Sequence, residues 1–257
     1  MISAASLSTM PLRTADWALI ATAPIIGSFL GTLITRLPEG APVLWVRSRC
    51  DFCETTLAAR DVVPLASWLV ARGRCRHCGH SLGWFYPAVE LAALAVAGTA
   101  LAVDRGVAAW LGALLGWWLL TLGWIDLRIW RLPDVLTLPL IALGLIAGWL
   151  FAPDELADRA IGAIAGYLSL WLVAYCYRRL RGREGLGLGD AKLLAAGGAW
   201  VGASGLPTVV AGGAIAALIV AGGLMLIGVR LGRTSALPFG PFLASAIWVV
   251  WLFGPIA

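Results

Sequence analysis

A chain of 257 residues in which 60% are hydrophobic and only 13% charged, with a mean hydropathy of +0.88, does not describe a water-soluble enzyme. Those values describe a membrane protein. The net charge of +5 calls for no nucleic acid, because basic loops beside a bilayer meet anionic lipid head groups.

Eight stretches are apolar enough to span or nearly span a bilayer: roughly 17–35, 84–103, 107–125, 135–152, 160–177, 191–206, 208–229 and 236–256. Before the first, the leading sixteen residues carry Arg13 as their single base. That is too little for the basic n-region of a cleaved signal peptide, so the first stretch is expected to be retained.

The loop that follows, from Arg36 to Tyr86, holds Cys50-Asp51-Phe52-Cys53 and Cys75-Arg76-His77-Cys78. Each CxxC turn can aim two sulfurs at one point, and two such turns place four thiolates tetrahedrally around one Zn²⁺. Disulfides compete for the same cysteines, but a cytosolic loop is kept reduced. His77 and His80 could serve as ligands, although four cysteines make them unnecessary. With few large apolar residues, the loop is expected to draw part of its folding energy from the metal.

Glu90 lies near the start of the second stretch, as a candidate acceptor for a substrate amine or a basic partner, or as a plain interfacial acid. The third stretch runs directly into Asp126. Beyond it, Asp134 follows Pro133 and is expected to cap the fourth. Cys176, alone in the fifth stretch, reads as a small hydrophobe.

Asp190 opens the sixth stretch behind Gly185, Gly187 and Gly189. Glycines there would let an extended peptide lie beside Asp190; a flexible linker ending in an Asp helix cap has the same spacing. Lys192 follows two residues later, with a head group or the carboxylates as possible partners. Pro238 and Pro241 flank the Phe-Gly pair that precedes the last helix and delay its start.

Alternating loops split the basic residues unequally. Those after the odd-numbered stretches hold sixteen of the nineteen, leaving Arg13, Arg105 and Arg159 for the other side. The positive-inside rule then puts the cysteine loop, Asp126 and Asp190 on the cytosolic side and both termini outside. Two intramembrane carboxylates at one depth are functional candidates. Sharing one proton, they can activate a water and protonate a carbonyl, as aspartic peptidases do. A transporter relaying protons through paired acids, or a membrane scaffold built on a zinc loop, is the alternative. No inverted repeat relates the two halves, as a transporter would favour.

Small-xxx-small pairs recur at Gly27 and Gly31, Gly112 and Gly116, Gly144 and Gly148, Gly162 and Gly166, and Gly198 and Gly202, as in close-packed membrane helices. The fourteen tryptophans are expected mostly at the interfaces or facing lipid, with Trp124 and Trp130 as possible site walls. The expected fold is an all-α polytopic membrane protein of about eight transmembrane helices, with a small zinc-binding cytosolic domain between the first and second. Its divisions are 1–36, 37–85 and 86–257.

"DLRIWRLPD" (126–134) and "GLGLGDAKLL" (185–194) resemble the two active-site motifs of the type IV prepilin peptidases, within the GxGD aspartic proteases. "GSFLGTLITRLP" (27–38), the CxxC pairs, "YPAVEL" (86–91) and "LPFGPFLA" (237–244) extend the resemblance along the chain. It implies Asp126 and Asp190 as the catalytic pair, with Gly187, Gly189 and Glu90 near the substrate and Cys50, Cys53, Cys75 and Cys78 on structural zinc. It also implies prepilins or pseudopilins of type II secretion as substrates, cut at the cytosolic face of a bacterial inner membrane. Methylation of the new N-terminus from S-adenosylmethionine is implied as well, as an activity of the cysteine-containing loop, residues 37–85. Two departures bear on the methylation: Gly31 stands where relatives carry Asn, and no proline follows Cys50.

Overall fold

The structure is a computed structural model that describes residues 14–43, 48–50, 52–182, 187–229 and 237–255. Gly185, Asp51 and the arginines at 13, 47, 183, 230 and 233 lie outside the described residues. The chain forms two compact units, residues 1–117 and 118–257.

In the first unit, α1 (Thr14–Arg36) is closed by a 3₁₀ turn (Leu37–Glu39) and Gly40 in the left-handed region (φ 66°). Thr22, Thr32 and Thr35 donate their hydroxyls to carbonyls one turn back, which satisfies polar groups that lipid cannot. The described part of the cysteine loop carries a 3₁₀ turn (Ala59–Asp61) and a short α-helix, α2 (Ala66–Val70). It leads into α3 (Phe85–Val103), then α4 (Val107–Ile129). Gly27 lets α1 lie on α3: a methyl there would stand 2.6 Å from Glu90 Cα and 3.0 Å from Ala93 Cβ. Lipid gives apolar helices no inward drive, so such close approach carries the packing.

The second unit takes the end of α4, α5 (Asp134–Phe151), α6 (Leu156–Arg181), α7 (Leu188–Leu226) and α8 (Gly240–Phe253). Its most extensive packing is α6 on α7. There Gly162 and Gly198 face each other backbone to backbone, and Gly166 lies on the Leu194 carbonyl. Two of the small-xxx-small pairs therefore form one helix contact.

Among the described residues, six helices are long and apolar enough to cross a membrane. The sixth and seventh predicted stretches form a single element of 39 residues. At 1.5 Å per residue it would measure about 58 Å straight, nearly twice a hydrocarbon core. It is broken at Gly202 (φ 78°, ψ 174°), and Asp158 of α6 accepts the Ala203 N–H at 3.1 Å, capping the second half. The sequence placed this boundary at Pro207; that is corrected to Gly202, and Pro207 sits about a turn inside the second half. The last predicted stretch is helical over 14 residues only.

Two tryptophans are not interfacial. Trp117 is 5% exposed and donates its Nε1–H to the Ala93 carbonyl. Trp200, 1% exposed, donates to Leu140, stacks edge-on to Trp251 and fills the space left by Gly144.

Candidate active site and metal centre

Asp126 occupies the last full turn of α4, where Leu122 and Ile125 turn inward with it, and it is buried. The helix stops at Trp130, exposed and in the left-handed region (φ 57°), from which Leu132 and Pro133 lead to α5. Asp190 stands in the first turn of α7, half-buried, behind the extended Gly187 (φ −73°, ψ 139°). The two carboxylates lie within electrostatic reach of one another.

A third helix end completes the site. The Gly240 N–H, at the start of α8, donates to Asp126 Oδ2 at 3.1 Å. A methyl on Gly240 would stand 2.6 Å from that oxygen, so only glycine brings the amide this close. The flanking prolines marked a delayed helix start, but nothing local ties residue 240 to residue 126. Gly189 has an equally direct reason, since its Cα faces the buried Leu132 and a methyl would reach within 3.0 Å of Leu132 Cβ. Gly187 is exposed and open on the Asp190 side, where a methyl would stand 3.9 Å from the nearest carboxylate oxygen.

Asp134 does not cap α5; the N-cap is Pro133, with no side-chain cap. Its carboxylate instead takes the Lys192 ammonium at 2.6 Å, tying the start of α5 to the start of α7. That assigns Lys192 a partner other than a head group or the two carboxylates.

Glu90 is buried, and its Oε2 accepts the Leu65 N–H at 2.7 Å. Leu65 has φ 57° and is the N-cap residue just before α2, so the acid fixes a strained turn of the cysteine loop against α3. Gly31 backs onto the Tyr86 ring, which a methyl at this position would approach to 2.8 Å. The ring fills the space an asparagine would need.

The two CxxC turns are built alike. Arg49 bridges to Thr56 and Arg74 to Ser81, framing each turn. Within the frames the Cys50 N–H donates to Thr55 and the Cys75 N–H to His80, and the Cys50 and Cys75 carbonyls accept from Glu54 and Gly79. Glu54 (φ 55°) and Gly79 (φ 71°) take the same left-handed position. Phe52 stacks on His80 at 3.9 Å across the turns. The sulfurs of Cys50, Cys53, Cys75 and Cys78 all lie within 4.8 Å of one another, with Cys50 and Cys78 at 3.9 Å. A tetrahedral site with Zn–S bonds of about 2.3 Å needs edges of about 3.8 Å, so the cluster can hold a metal such as zinc.

Local hydrogen bonds already favour thiolates at two positions. The Thr55 hydroxyl and N–H bring Cys53 down to about 6, and the N–H groups of Cys78 and His77 lower Cys75. Cys78 is pushed up to about 11: the His80 N–H pulls it down, but desolvation and the sulfurs of Cys53, Cys75 and Cys50 outweigh it. Beside the second turn an open cleft of about 540 Å³ is lined by Trp68, Arg72, Arg74, His80, Ser81 and Trp84, among others.

Residues 21–103 match the family model described as the bacterial peptidase A24 N-terminal domain, and residues 113–222 match the type IV leader peptidase family. The chain is 38% identical over 255 residues to a prepilin leader peptidase/N-methyltransferase of Aeromonas hydrophila, covering 90% of this chain and 88% of that protein. A protein of the same name from Burkholderia pseudomallei (strain 1026b) is 39% identical over 259 residues, covering 90% and 82%. Another from Dickeya chrysanthemi is 40% identical over 255 residues, covering 88% of each. No solved structure gives a significant match.

Proposed function

Because the chain belongs to the type IV leader peptidase family, we propose that it is an intramembrane aspartic endopeptidase that removes the leader from prepilins or type II secretion pseudopilins. Asp126 and Asp190 are its catalytic pair. The observation that supports this reading is that two acids far apart in the chain stand at the ends of two apolar helices of one compact unit, near enough for the charge of one to act on the other.

The pair shares one proton. The ionised member takes a proton from a water, the resulting hydroxide attacks the scissile carbonyl, and the other member gives its proton to the carbonyl oxygen. The tetrahedral intermediate then collapses as a proton passes to the leaving amine. The Gly240 N–H, fixed on Asp126 Oδ2, holds one oxygen of the pair and directs the other. Gly187 and Gly189 leave room for an extended peptide beside Asp190, and the membrane-face position suits a cut at the junction of leader and hydrophobic pilin helix.

The site is placed at the cytosolic face of the bacterial inner membrane with both termini periplasmic, on the charge asymmetry of the loops. Zinc on Cys50, Cys53, Cys75 and Cys78 is structural and cross-links the two turns of residues 37–85. Glu90, the candidate for a substrate amine, also ties this lobe to α3 through the Leu65 N–H. The protein also methylates the new N-terminal amine, with S-adenosylmethionine as methyl donor.

Asp126→Asn and Asp190→Asn, each expressed with a prepilin, should abolish leader removal as followed by gel mobility. Normal processing by either variant rejects the dyad.

A further inference from the structure

The cleft of the cysteine lobe is not used by the peptidase chemistry above, and its lining is of two kinds. Arg72 and Arg74 are exposed and make no ion pair among the described residues, whereas Arg76 nearby is engaged by Asp61 at 3.2 Å. Trp68 and Trp84 meet at 4.1 Å, and the Trp68 Nε1–H donates to the Gly83 carbonyl, which fixes the indoles at one wall. His80, held flat on Phe52, and Ser81 complete the polar side.

Chain order sets the depth of this cleft. Trp84 is the residue immediately before α3, a membrane-spanning helix, and is 68% exposed. An indole at that position belongs at the head-group level. Leu69 and Val70, which follow Trp68 in α2, are 65% and 73% exposed, apolar tips open to the surroundings. The loop from Arg36 to Tyr86 carries seven arginines against four acids. A cationic cleft with indole walls and apolar tips at the level of the head groups matches an anionic amphiphile in charge and polarity.

We infer that this cleft is a binding site for the phosphate head group of an anionic phospholipid. Arg72 and Arg74 take the phosphodiester, the two indoles flank the glycerol region, and Leu69 and Val70 enter the acyl boundary. The bound lipid then holds the zinc lobe flat on the membrane face. The site is independent of the peptidase reading and requires only that α1 and α3 span the bilayer.

Purified full-length protein in detergent is titrated with phosphatidylglycerol or phosphatidylcholine, and bound lipid is counted by native mass spectrometry. The wild type should retain phosphatidylglycerol preferentially. Arg72→Gln with Arg74→Gln should weaken it by roughly thirty-fold, two charges at the membrane surface. Arg178→Gln with Arg179→Gln, an equal loss of charge on exposed residues at the end of α6, should change it little. Inorganic phosphate should not displace the lipid, which separates a head-group site from a free-anion site. Unchanged binding by the Arg72/Arg74 variant, no preference over phosphatidylcholine, or displacement by phosphate or S-adenosylmethionine would each overturn the assignment.

Discussion

Gly240→Ala tests the carboxylate site without touching a carboxylate. The new methyl would stand 2.6 Å from Asp126 Oδ2 and 3.0 Å from Cγ, where ordinary contact begins at 3.4 Å, so the carboxyl group must withdraw by the difference, 0.8 Å. With that shift the 3.1 Å hydrogen bond from the Gly240 amide is lost or badly bent. Such a bond to a charged acceptor contributes about 1.5–3 kcal/mol. A misplacement near 1 Å at a reacting group costs on the order of 100-fold in rate, or about 2.7 kcal/mol, so the two estimates agree. Cleavage of a prepilin in membranes under single-turnover conditions should therefore slow by about 100-fold while the protein accumulates normally. Gly123→Ala is the matched control: its methyl would meet Pro241 Cα at an ordinary 3.5 Å, and cleavage should stay within a few-fold of wild type. Wild-type cleavage by Gly240→Ala would refute the idea that this amide positions Asp126. A collapse of both variants would mean that the α4–α8 contact, not the hydrogen bond, is what matters.

Lys192→Met should slow cleavage several-fold, and Asp134→Asn should do the same, because the 2.6 Å pair ties the start of α7 to α5 beside Asp190. The double variant should be no worse than either alone, as a double-mutant cycle would show; additivity would mean the pair does not act as a unit. Gly202→Ala puts a methyl where the Asp158 carboxylate sits, on backbone at φ 78°, and should lower the melting temperature sharply, with Asp158→Ala costing about 1 kcal/mol as a lost helix cap. Cys78→Ser should reduce zinc measured by elemental analysis to well below one ion per chain and expose residues 48–84 to proteolysis, while leader cleavage persists at least in part.

What the sequence made legible divides by range of interaction. Cys50, Cys53, Cys75 and Cys78 were readable because each pair is held by turns a few residues long, and the turns repeat. The apolar helices were readable because hydropathy is a property of each segment by itself. Asp126 and Asp190 could be placed at one depth by loop charge, and the family motifs then joined them. Gly202 was missed in favour of Pro207 because the group that makes a break tolerable there, the Asp158 carboxylate, comes from another helix. Asp134 was taken for a cap for a similar reason: its partner Lys192 lies across the unit, and an exposed acid after proline is a common cap by itself. Buried Trp200 resembles every interfacial tryptophan in the sequence until the Leu140 carbonyl is known to accept its N–H.

The proposed site is made from three helix ends, and there is a physical reason for that. A peptide bond within a helix has its carbonyl engaged by an amide four residues on and its faces covered by side chains, so a substrate must be unwound where it is cut. Extended backbone in lipid is tolerated only where protein or water satisfies its polar groups. Gly187 is extended and exposed immediately ahead of Asp190, at the start of a helix, where the first N–H groups have no place in the helix's own hydrogen-bond ladder. An unwound substrate segment can pair with that edge and lie across the carboxylates without leaving bare amides in the bilayer. Had Asp190 been placed mid-helix, with side chains in place of Gly187 and Gly189, the same two acids would have had no backbone beside them to receive a peptide.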